Sequence, residues 1–255
     1  MTESKSRGLR WLLIAIAVAA TAAIGLPGMA KHVPWPVERW MAGMLGGMSV
    51  GNTCQGRSRP ESLALFRKLV QRIYPLAPGD SELPITIEVI PGKTVNAYAT
   101  LGGRIYVFDG LLRQARSADE LAGVLAHEIE HVRNRHVIQG FAVNFFTLGV
   151  LNAVLSGGHQ TESQIAFMLL TLKFSRHQEF EADEAGLERV RMARVDPAGF
   201  QQFFARAEKM PAPPQIISNH PANELRAELA ARFRGYPVEP IMDQKEWATL
   251  KTICE

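Results

Sequence analysis

The feature that most constrains this chain is the segment 126–131, which contains the motif H-E-x-x-H at residues 127–131. Two histidines four residues apart lie one turn from each other on the same face of an α-helix, so His127 and His131 can bind a single metal ion. Zinc is the natural occupant of such a pair. Glu128 follows the first histidine, and its carboxylate can take a proton from an activated water without binding the metal.

The flanking sequence predicts that this motif lies within a helix. Ser117 and Glu120 have the spacing of a capping box, in which the hydroxyl accepts a backbone N–H and the carboxylate reaches back to the first residue. Apolar residues between 121 and 129 recur at helical spacing. The alternative is an ordinary amphipathic helix with two surface histidines, and a third metal ligand elsewhere in the chain would argue against it.

A second helical stretch, residues 175–192, carries acids that could supply this third ligand. Glu179 and Asp183 are four residues apart and share a face, whereas Glu181 points away from both. We therefore assign Glu179 to the metal and Asp183 to a hydrogen bond that orients a ligating histidine. Glu181 and Glu184 are expected to be solvated.

Several nearby residues are expected to have structural roles only. Ala182 and Gly186 are small enough to let the second helix approach the first one closely. His136 and His177 are interpreted as structural, and His159 as a solvated loop histidine.

Charge argues against a nucleic-acid partner. The formal net charge of the 255 residues is +3, and the first ten residues contribute three basic groups against one acid. The remainder holds 25 basic and 24 acidic residues, which is close to neutral.

The chain divides into four predicted segments. Residues 1–30 contain the apolar run Trp11–Leu26 after a basic start, and they predict a membrane anchor, with a cleaved signal as the alternative. In either case the basic residues stay in the cytoplasm and the rest is exported, which predicts a cell-envelope, periplasmic location. Residues 31–60 are interpreted as a linker or a loosely packed lead-in, 61–235 as the folded domain that carries the metal motif and 236–255 as a tail.

Periodicity predicts an α+β domain that is mainly helical. Residues 61–74 form an amphipathic helix, and short strands are expected at 85–90, 96–99 and 104–108. This places a small sheet directly before the H-E-x-x-H helix, and an open strand edge can hold an extended peptide. The alternative is a sheet that only packs against the helix.

Two further features remain open at the level of sequence. The apolar runs 141–155 and 165–174 are each too short to span a bilayer, and we expect a hairpin that is buried, lies on a membrane surface or acts as a lid. Cys54 and Cys254 can form a disulfide in an oxidising compartment, or they can remain unpaired thiols.

Four separate stretches together resemble peptidase family M48 over residues 61–235. They are the H-E-x-x-H motif, the run 175–183, the residues around His220 in Asn219-His220-Pro221, and the segment 96–112, which reads NAYATLGGRIYVFDGLL. The resemblance implies a zincin fold of the Glu-ligand type and endopeptidase action on misfolded or membrane-associated proteins. It also supports Glu179 as the third ligand.

The resemblance implies that His220 reaches the active site. It would donate to the oxyanion or act as a fourth ligand that blocks the resting metal. The alternative is a loop histidine. The expected site therefore consists of one Zn²⁺ per chain and six side chains: His127, His131 and Glu179 on the metal, Glu128 and His220 in catalysis, and Asp183 behind a ligand.

The sequence thus predicts a membrane-tethered zinc endopeptidase whose partners are unfolded or misfolded proteins. The main alternative is a zinc-containing envelope chaperone that holds such proteins without cutting them. An exopeptidase is disfavoured because no motif for capturing a free terminus is found, and a structural zinc site because a base beside a ligand is typical of catalysis.

Overall fold

The computed structural model describes residue 21 and residues 25–44, 53–156, 172–210, 214–220 and 226–255. This part of the chain is mainly helical and holds one three-stranded sheet, which confirms the predicted fold class. None of the described helices combines the length and the apolarity that crossing a bilayer requires. Most of the Trp11–Leu26 run, His159 and most of the 165–174 segment lie outside the described residues.

The described helices and strands follow one another in a simple order. The helices are α1 (Trp35–Met44), α2 (Pro60–Ile73), α3 (Asp109–Gln114), α4 (Ala118–Arg133), α5 (His136–Ser156), α6 (Arg176–Met192), α7 (Pro197–Glu208), α8 (Gln215–Asn219), α9 (Arg226–Arg232) and α10 (Gln244–Leu250). The strands are β1 (Thr86–Ile90), β2 (Ala97–Thr100) and β3 (Arg104–Phe108), all between α2 and α3.

The sheet has the order β1-β3-β2, with β1 parallel and β2 antiparallel to β3. A tight connection through Gly102 and Gly103 joins β2 to β3, and both glycines have φ near +80°. A Cβ atom on Gly103 would lie 2.6 Å from the Pro84 carbonyl oxygen, so this position requires glycine. The three strands fall where the sequence predicts them.

A single side chain covers the outer edge of β1. The Gln55 carboxamide donates to Ile87 O at 3.2 Å and accepts from Val89 N at 3.0 Å. These are the two hydrogen bonds that one residue of a parallel neighbouring strand would make opposite Glu88. Gln55 therefore takes the place of a fourth strand at this point.

Helix α4 forms the centre of the domain and is almost completely buried. Its start is only partly as predicted. Ser117 Oγ accepts from Glu120 N at 3.2 Å, but the Glu120 carboxylate accepts from Arg116 N and pairs with Arg206 instead of closing the capping box. An ion pair with a distant helix thus replaces the expected bond to the Ser117 N–H. The alternative of a surface helix is wrong, because His127 and His131 are completely buried.

Helices α4 and α6 approach each other closely, as the small residues predict. A Cβ atom added to Gly186 would lie 3.2 Å from the backbone N and Cα of His127, tighter than ordinary van der Waals contact. Ala182 is fully buried. The absence of larger side chains therefore lets α6 bring its acidic face to the metal helix.

Residues 35–44 and 141–155 are helical in the structure. The first range contains α1, whose buried Glu38 accepts from Gly102 N at 2.9 Å. The second range belongs to α5, which begins at His136 and is separated from the end of α4 by only two residues. Contacts of the buried Glu38 hold α1 on the domain, and such contacts leave no periodic signal in the sequence.

The predicted C-terminal tail contains a helix that packs on α2. Asp243 begins α10 with a complete capping box, and Trp247, Leu250 and Ile253 are buried. Cys254 forms a disulfide with Cys54, which answers the question that the sequence leaves open. The C-terminal segment is therefore fastened to the start of the domain.

Candidate metal centre

The first two donor atoms come from one face of α4. The Nε2 atoms of His127 and His131 lie 2.9 Å apart, and no part of either side chain is exposed. Burial lowers the pKa of His131 well below its usual value, so its ring is neutral near pH 7. A neutral imidazole is the form that binds a metal ion.

Glu179, in the first turn of α6, supplies a carboxylate to the same point. Its two oxygens lie 3.5 Å from His127 Nε2 and 3.4 Å from His131 Nε2. Burial by itself would raise the pKa of Glu179, but the surrounding imidazoles, His220 first among them, outweigh it and hold the pKa below its usual range. The carboxylate is therefore ionised, as a metal ligand must be.

The structure also brings His220 into this group, at the end of the short helix α8. Its Nδ1 atom lies 3.0 Å from His127 Nε2 and 3.0 Å from Glu179 Oε1. The donor atoms of His127, His131, Glu179 and His220 all lie within 4.8 Å of one another, and all four residues are buried. His220 thus stands among the expected ligands rather than in an exposed loop.

This donor set fits a single zinc ion. Four ligands placed tetrahedrally about 2.0–2.1 Å from zinc are about 3.3 Å apart. Five separations among the His127, His131, Glu179 and His220 donor atoms run from 2.9 to 3.5 Å, with Glu179 measured from Oε2 to His127 and from Oε1 to His131 and His220. Three imidazole nitrogens and a carboxylate oxygen are also ligands that zinc accepts.

Asp183 lies one turn after Glu179, as predicted, and faces the back of His127. Its Oδ1 atom is 2.9 Å from His127 Nδ1, and both side chains are completely buried. When Nε2 faces a metal, Nδ1 carries the proton and donates to this carboxylate. The ring orientation is thereby fixed.

Glu128 points from α4 toward strand β2. Its Oε2 atom accepts from Ala99 N at 3.0 Å, and its Oε1 atom lies 3.3 Å from His220 Nε2. Burial raises the pKa of Glu128 above its usual value. One oxygen is thus fixed to the sheet, and the other faces the imidazole group where a proton could be accepted.

Strand β2 presents its outer edge to the site. Phe108 N donates to Asn96 O, and because bonding alternates along an antiparallel pair, the main-chain groups of Ala97 and Ala99 point away from β3. Helix α8 lies beside this edge, where Ile216 N donates to Val95 O at 3.4 Å. In this conformation the segment that carries His220 therefore borders the strand edge.

Sequence reasoning gave His136 only a structural role, but the structure places it against a ligand. His136 Nδ1 lies 3.1 Å from His131 Nδ1, and its Nε2 lies 3.3 Å from the carboxylate of Glu181. Glu181, expected to be solvated, is half-exposed and is also 3.7 Å from His177. The sequence signal for this contact is the short interval of five residues between the two histidines. The chain changes direction between α4 and α5, so the ring of His136 faces that of His131.

A buried ionic network was also missed. Arg189 on α6 is completely buried and bonds to Asp80 through Nη1 at 2.6 Å and to Glu130 through Nε at 2.8 Å. Glu130 lies inside the H-E-x-x-H motif, so this network joins both ligand helices next to the metal centre. Glu184, by contrast, is exposed as expected.

Comparison with known proteins agrees with this geometry. Residues 66–232 match the profile of peptidase family M48. The chain belongs to this family. Its domain is a zincin-type metallopeptidase domain, and zinc is the metal that M48 metallopeptidases use.

Three curated relatives share the matched region. The metalloprotease LoiP of Escherichia coli (strain K12) is 32% identical over 154 residues, which cover 57% of this chain and 61% of the relative. The mitochondrial metalloendopeptidase OMA1 of Schizosaccharomyces pombe is 33% identical over 177 residues, or 66% and 51%. The beta-barrel assembly-enhancing protease of E. coli K12 is 27% identical over 178 residues, or 63% and 36%. The matched stretch therefore covers less than two thirds of each of these relatives.

Proposed function

We propose that the protein is a membrane-tethered zinc endopeptidase of the cell envelope that hydrolyses peptide bonds in misfolded or membrane-associated proteins. The observation that carries this proposal is the convergence of His127, His131 and Glu179 on one point with Glu128 beside them. Zinc, when bound there, supplies Lewis-acid chemistry that polarises a carbonyl group and makes water reactive near neutral pH.

Glu128 is the proton carrier in this proposal. Its carboxylate is held by Ala99 N and is buried, and burial raises its pKa toward the range of a general base. It accepts the proton of the attacking water and returns it to the leaving amine. Asp183 keeps the His127 ring in one orientation throughout.

For His220, the distances favour a fourth-ligand role over an oxyanion donor in this conformation. Its Nδ1 atom is 3.0 Å from two of the other ligand atoms. With His220 as a fourth ligand, no position among the ligand atoms would remain for the carbonyl group of a substrate. The imidazole would therefore move aside before cleavage, and it could then donate to the oxyanion from its new position.

The substrate is proposed to lie extended along the outer edge of β2. The main chain of Ala97 points outward there, and backbone pairing would hold a peptide without regard to its sequence. Unfolded segments suit such an edge better than folded ones.

The cellular setting is inferred from two sources. The sequence before residue 27 is basic and then apolar, which fits an anchor with the catalytic part on the exported side. The names of two bacterial relatives, LoiP and the beta-barrel assembly-enhancing protease, describe proteases, and the second refers to beta-barrel assembly. Protein quality control in the envelope is the role that unites these features.

The test combines zinc content with cleavage of casein by the full chain. We expect Glu128→Gln to keep its zinc and to lose turnover, because a proton acceptor is removed while the ligands remain. Glu179→Ala should lose both, and Glu184→Gln, an exposed acid on the same helix, should lose neither. Equal cleavage by wild type and Glu128→Gln would contradict the proposal.

A zinc-containing chaperone is the second candidate, because four buried ligands without an open position are typical of structural zinc sites. Suppression of aggregation of a chemically unfolded protein separates the two functions. A chaperone would suppress aggregation equally well as wild type or as Glu128→Gln and would leave casein intact.

A further inference from the structure

Helix α1 exposes large apolar side chains on one side. Val37, Trp40 and Met44 are spaced by three and four residues, so they share one helix face, which we name the α1 outer face. Trp40 is 63% exposed and Met44 66%, and Met29 shortly before the helix is 65% exposed. Most of the large exposed apolar residues of the described chain therefore lie within residues 29–44.

The opposite side of α1 is firmly attached to the domain. Glu38 is buried, accepts from Gly102 N and pairs with Arg135 Nη1 at 2.7 Å. The Arg135 guanidinium stacks on the Trp35 ring at 3.8 Å and donates to Val33 O. Because these contacts fix the rotation of α1, the outer face cannot turn toward the core.

The charges around α1 are basic. Glu38 is the only acid between residues 4 and 60, and it is buried against Arg135. Lys31 and Arg39 are exposed. A tryptophan and two aliphatic side chains flanked by basic residues are typical of a helix that lies in the interface of a membrane with anionic lipids.

The preceding sequence points to the same partner. The apolar run Trp11–Leu26 ends nine residues before the start of α1, so a chain anchored by this run enters the domain at the bilayer surface. We propose that the α1 outer face lies on a phospholipid bilayer with anionic headgroups, with Trp40 and Met44 at the boundary between headgroups and acyl chains. This inference rests on the membrane attachment proposed above and not on peptidase activity.

The contact would place the metal centre close to the bilayer. Arg135, which holds α1, lies four residues after the expected ligand His131 and directly before α5. This arrangement would favour substrate segments at the membrane surface over proteins free in solution.

Fluorescence quenching in vesicles tests the proposal. The full chain, carrying Trp11→Phe to remove the signal of the N-terminal run, is reconstituted in phosphatidylcholine and phosphatidylglycerol with brominated acyl chains. We expect most of the bromolipid quenching to disappear on adding Trp40→Phe. Adding Trp247→Phe, which removes a buried tryptophan on α10, should leave the quenching unchanged.

Charged variants give a second measurement. Val37→Glu with Met44→Glu should reduce the quenching of Trp40, whereas the pair Leu76→Glu and Val238→Glu, at exposed apolar sites elsewhere, should not. All four positions are exposed, so casein cleavage should continue in both double variants and show that they are folded.

The outcomes separate the possible failures. A chain that floats with the vesicles while Trp40 is quenched by aqueous acrylamide and not by bromolipid would overturn this proposal and leave the N-terminal attachment intact. A chain that does not float would overturn both. Shielding of Trp40 from both quenchers, with cross-linked dimers, would assign the face to a second copy and also overturn the proposal. Casein cleavage is independent of each result.

Discussion

The two histidines of α4 have equivalent positions in the proposed metal site but different supports. Behind His127, the Nδ1 atom lies 2.9 Å from Asp183, a carboxylate that is completely buried on α6. Behind His131, the Nδ1 atom lies 3.1 Å from His136, whose other nitrogen faces the half-exposed Glu181. His127 therefore bonds directly to a buried carboxylate, whereas His131 bonds to a second imidazole that contacts a half-exposed carboxylate.

The difference predicts unequal rigidity. A hydrogen bond to an ionised acceptor is about twice as strong as one between neutral groups. Burial lowers the pKa of His136, so its ring is neutral and accepts the His131 proton as a neutral group. His127 is thus the ligand whose orientation is held more strongly. His131 gains part of its support from packing, since Phe174 stacks on it at 3.9 Å.

The largest expected effect comes from breaking the buried ionic network that joins α4, which carries both histidines, to α6. Arg189→Leu leaves the buried carboxylates of Asp80 and Glu130 without their cation, which costs about 3–5 kcal/mol of unfolding free energy. Urea unfolding of the variant and of wild type measures this loss. Arg191→Leu, which removes an exposed ion pair with Glu188, is the control and should unfold at nearly the same urea concentration as wild type.

The next largest effects are expected from removing the hydrogen-bond partner of each histidine in turn, beginning with that of His127. Asp183→Ala should weaken zinc binding about 10- to 100-fold, because the His127 Nδ1–H loses its acceptor inside the protein. Competition with a chromogenic chelator measures the affinity. Glu184→Ala, at the neighbouring exposed position, should bind zinc as wild type does. An unchanged affinity in Asp183→Ala would show that the carboxylate does not support His127.

On the other side, His136→Phe should weaken zinc binding by about 10-fold, at the lower end of the range for removing such a partner. The aromatic ring keeps the packing on Phe174 while the acceptor is lost. His177→Phe removes the exposed histidine that also faces Glu181 and should have no effect. A loss as large as that of Asp183→Ala would remove the proposed difference between the two sides.

The smallest effect is expected at Glu181. Its carboxylate is partly solvated and contacts His136 rather than a ligand, so Glu181→Gln should change zinc affinity by about two-fold or less. Zinc titration of wild type at low and high salt checks this interpretation, because salt screens the partly exposed pair of Glu181 and His136 and should leave the zinc affinity nearly unchanged. A ten-fold loss would mean that charge is transmitted through His136 to His131.

Much of the site could be predicted because its information is local. Helical spacing places His127 beside His131 and Glu179 beside Asp183, and Gly186 marks where two helices approach. Each of these statements needs only the geometry of one helix. The structure places all of these residues where the spacing indicates, and the short strands could be located in the same way.

The rest depends on contacts between distant segments. Arg189 and Asp80 are 109 residues apart, and a sequence of charged residues does not show which of them are buried together. Glu120 has the correct spacing for a capping box, but Arg206, 86 residues away, competes for its carboxylate. The C-terminal helix was missed because it is only seven residues long and is stabilised by α2 and the disulfide.

The side-chain amide that covers part of β1 has a consequence for a protein proposed to act on unfolded substrates. An unpaired strand invites other polypeptides to extend the sheet, and such recruitment leads to aggregation. Gln55 occupies that edge, and its neighbour Cys54 is covalently fixed to the far end of the chain. In the described sheet this leaves the outer edge of β2, beside Glu128, for an incoming polypeptide, and the proposed peptidase would cut such a chain rather than let it accumulate.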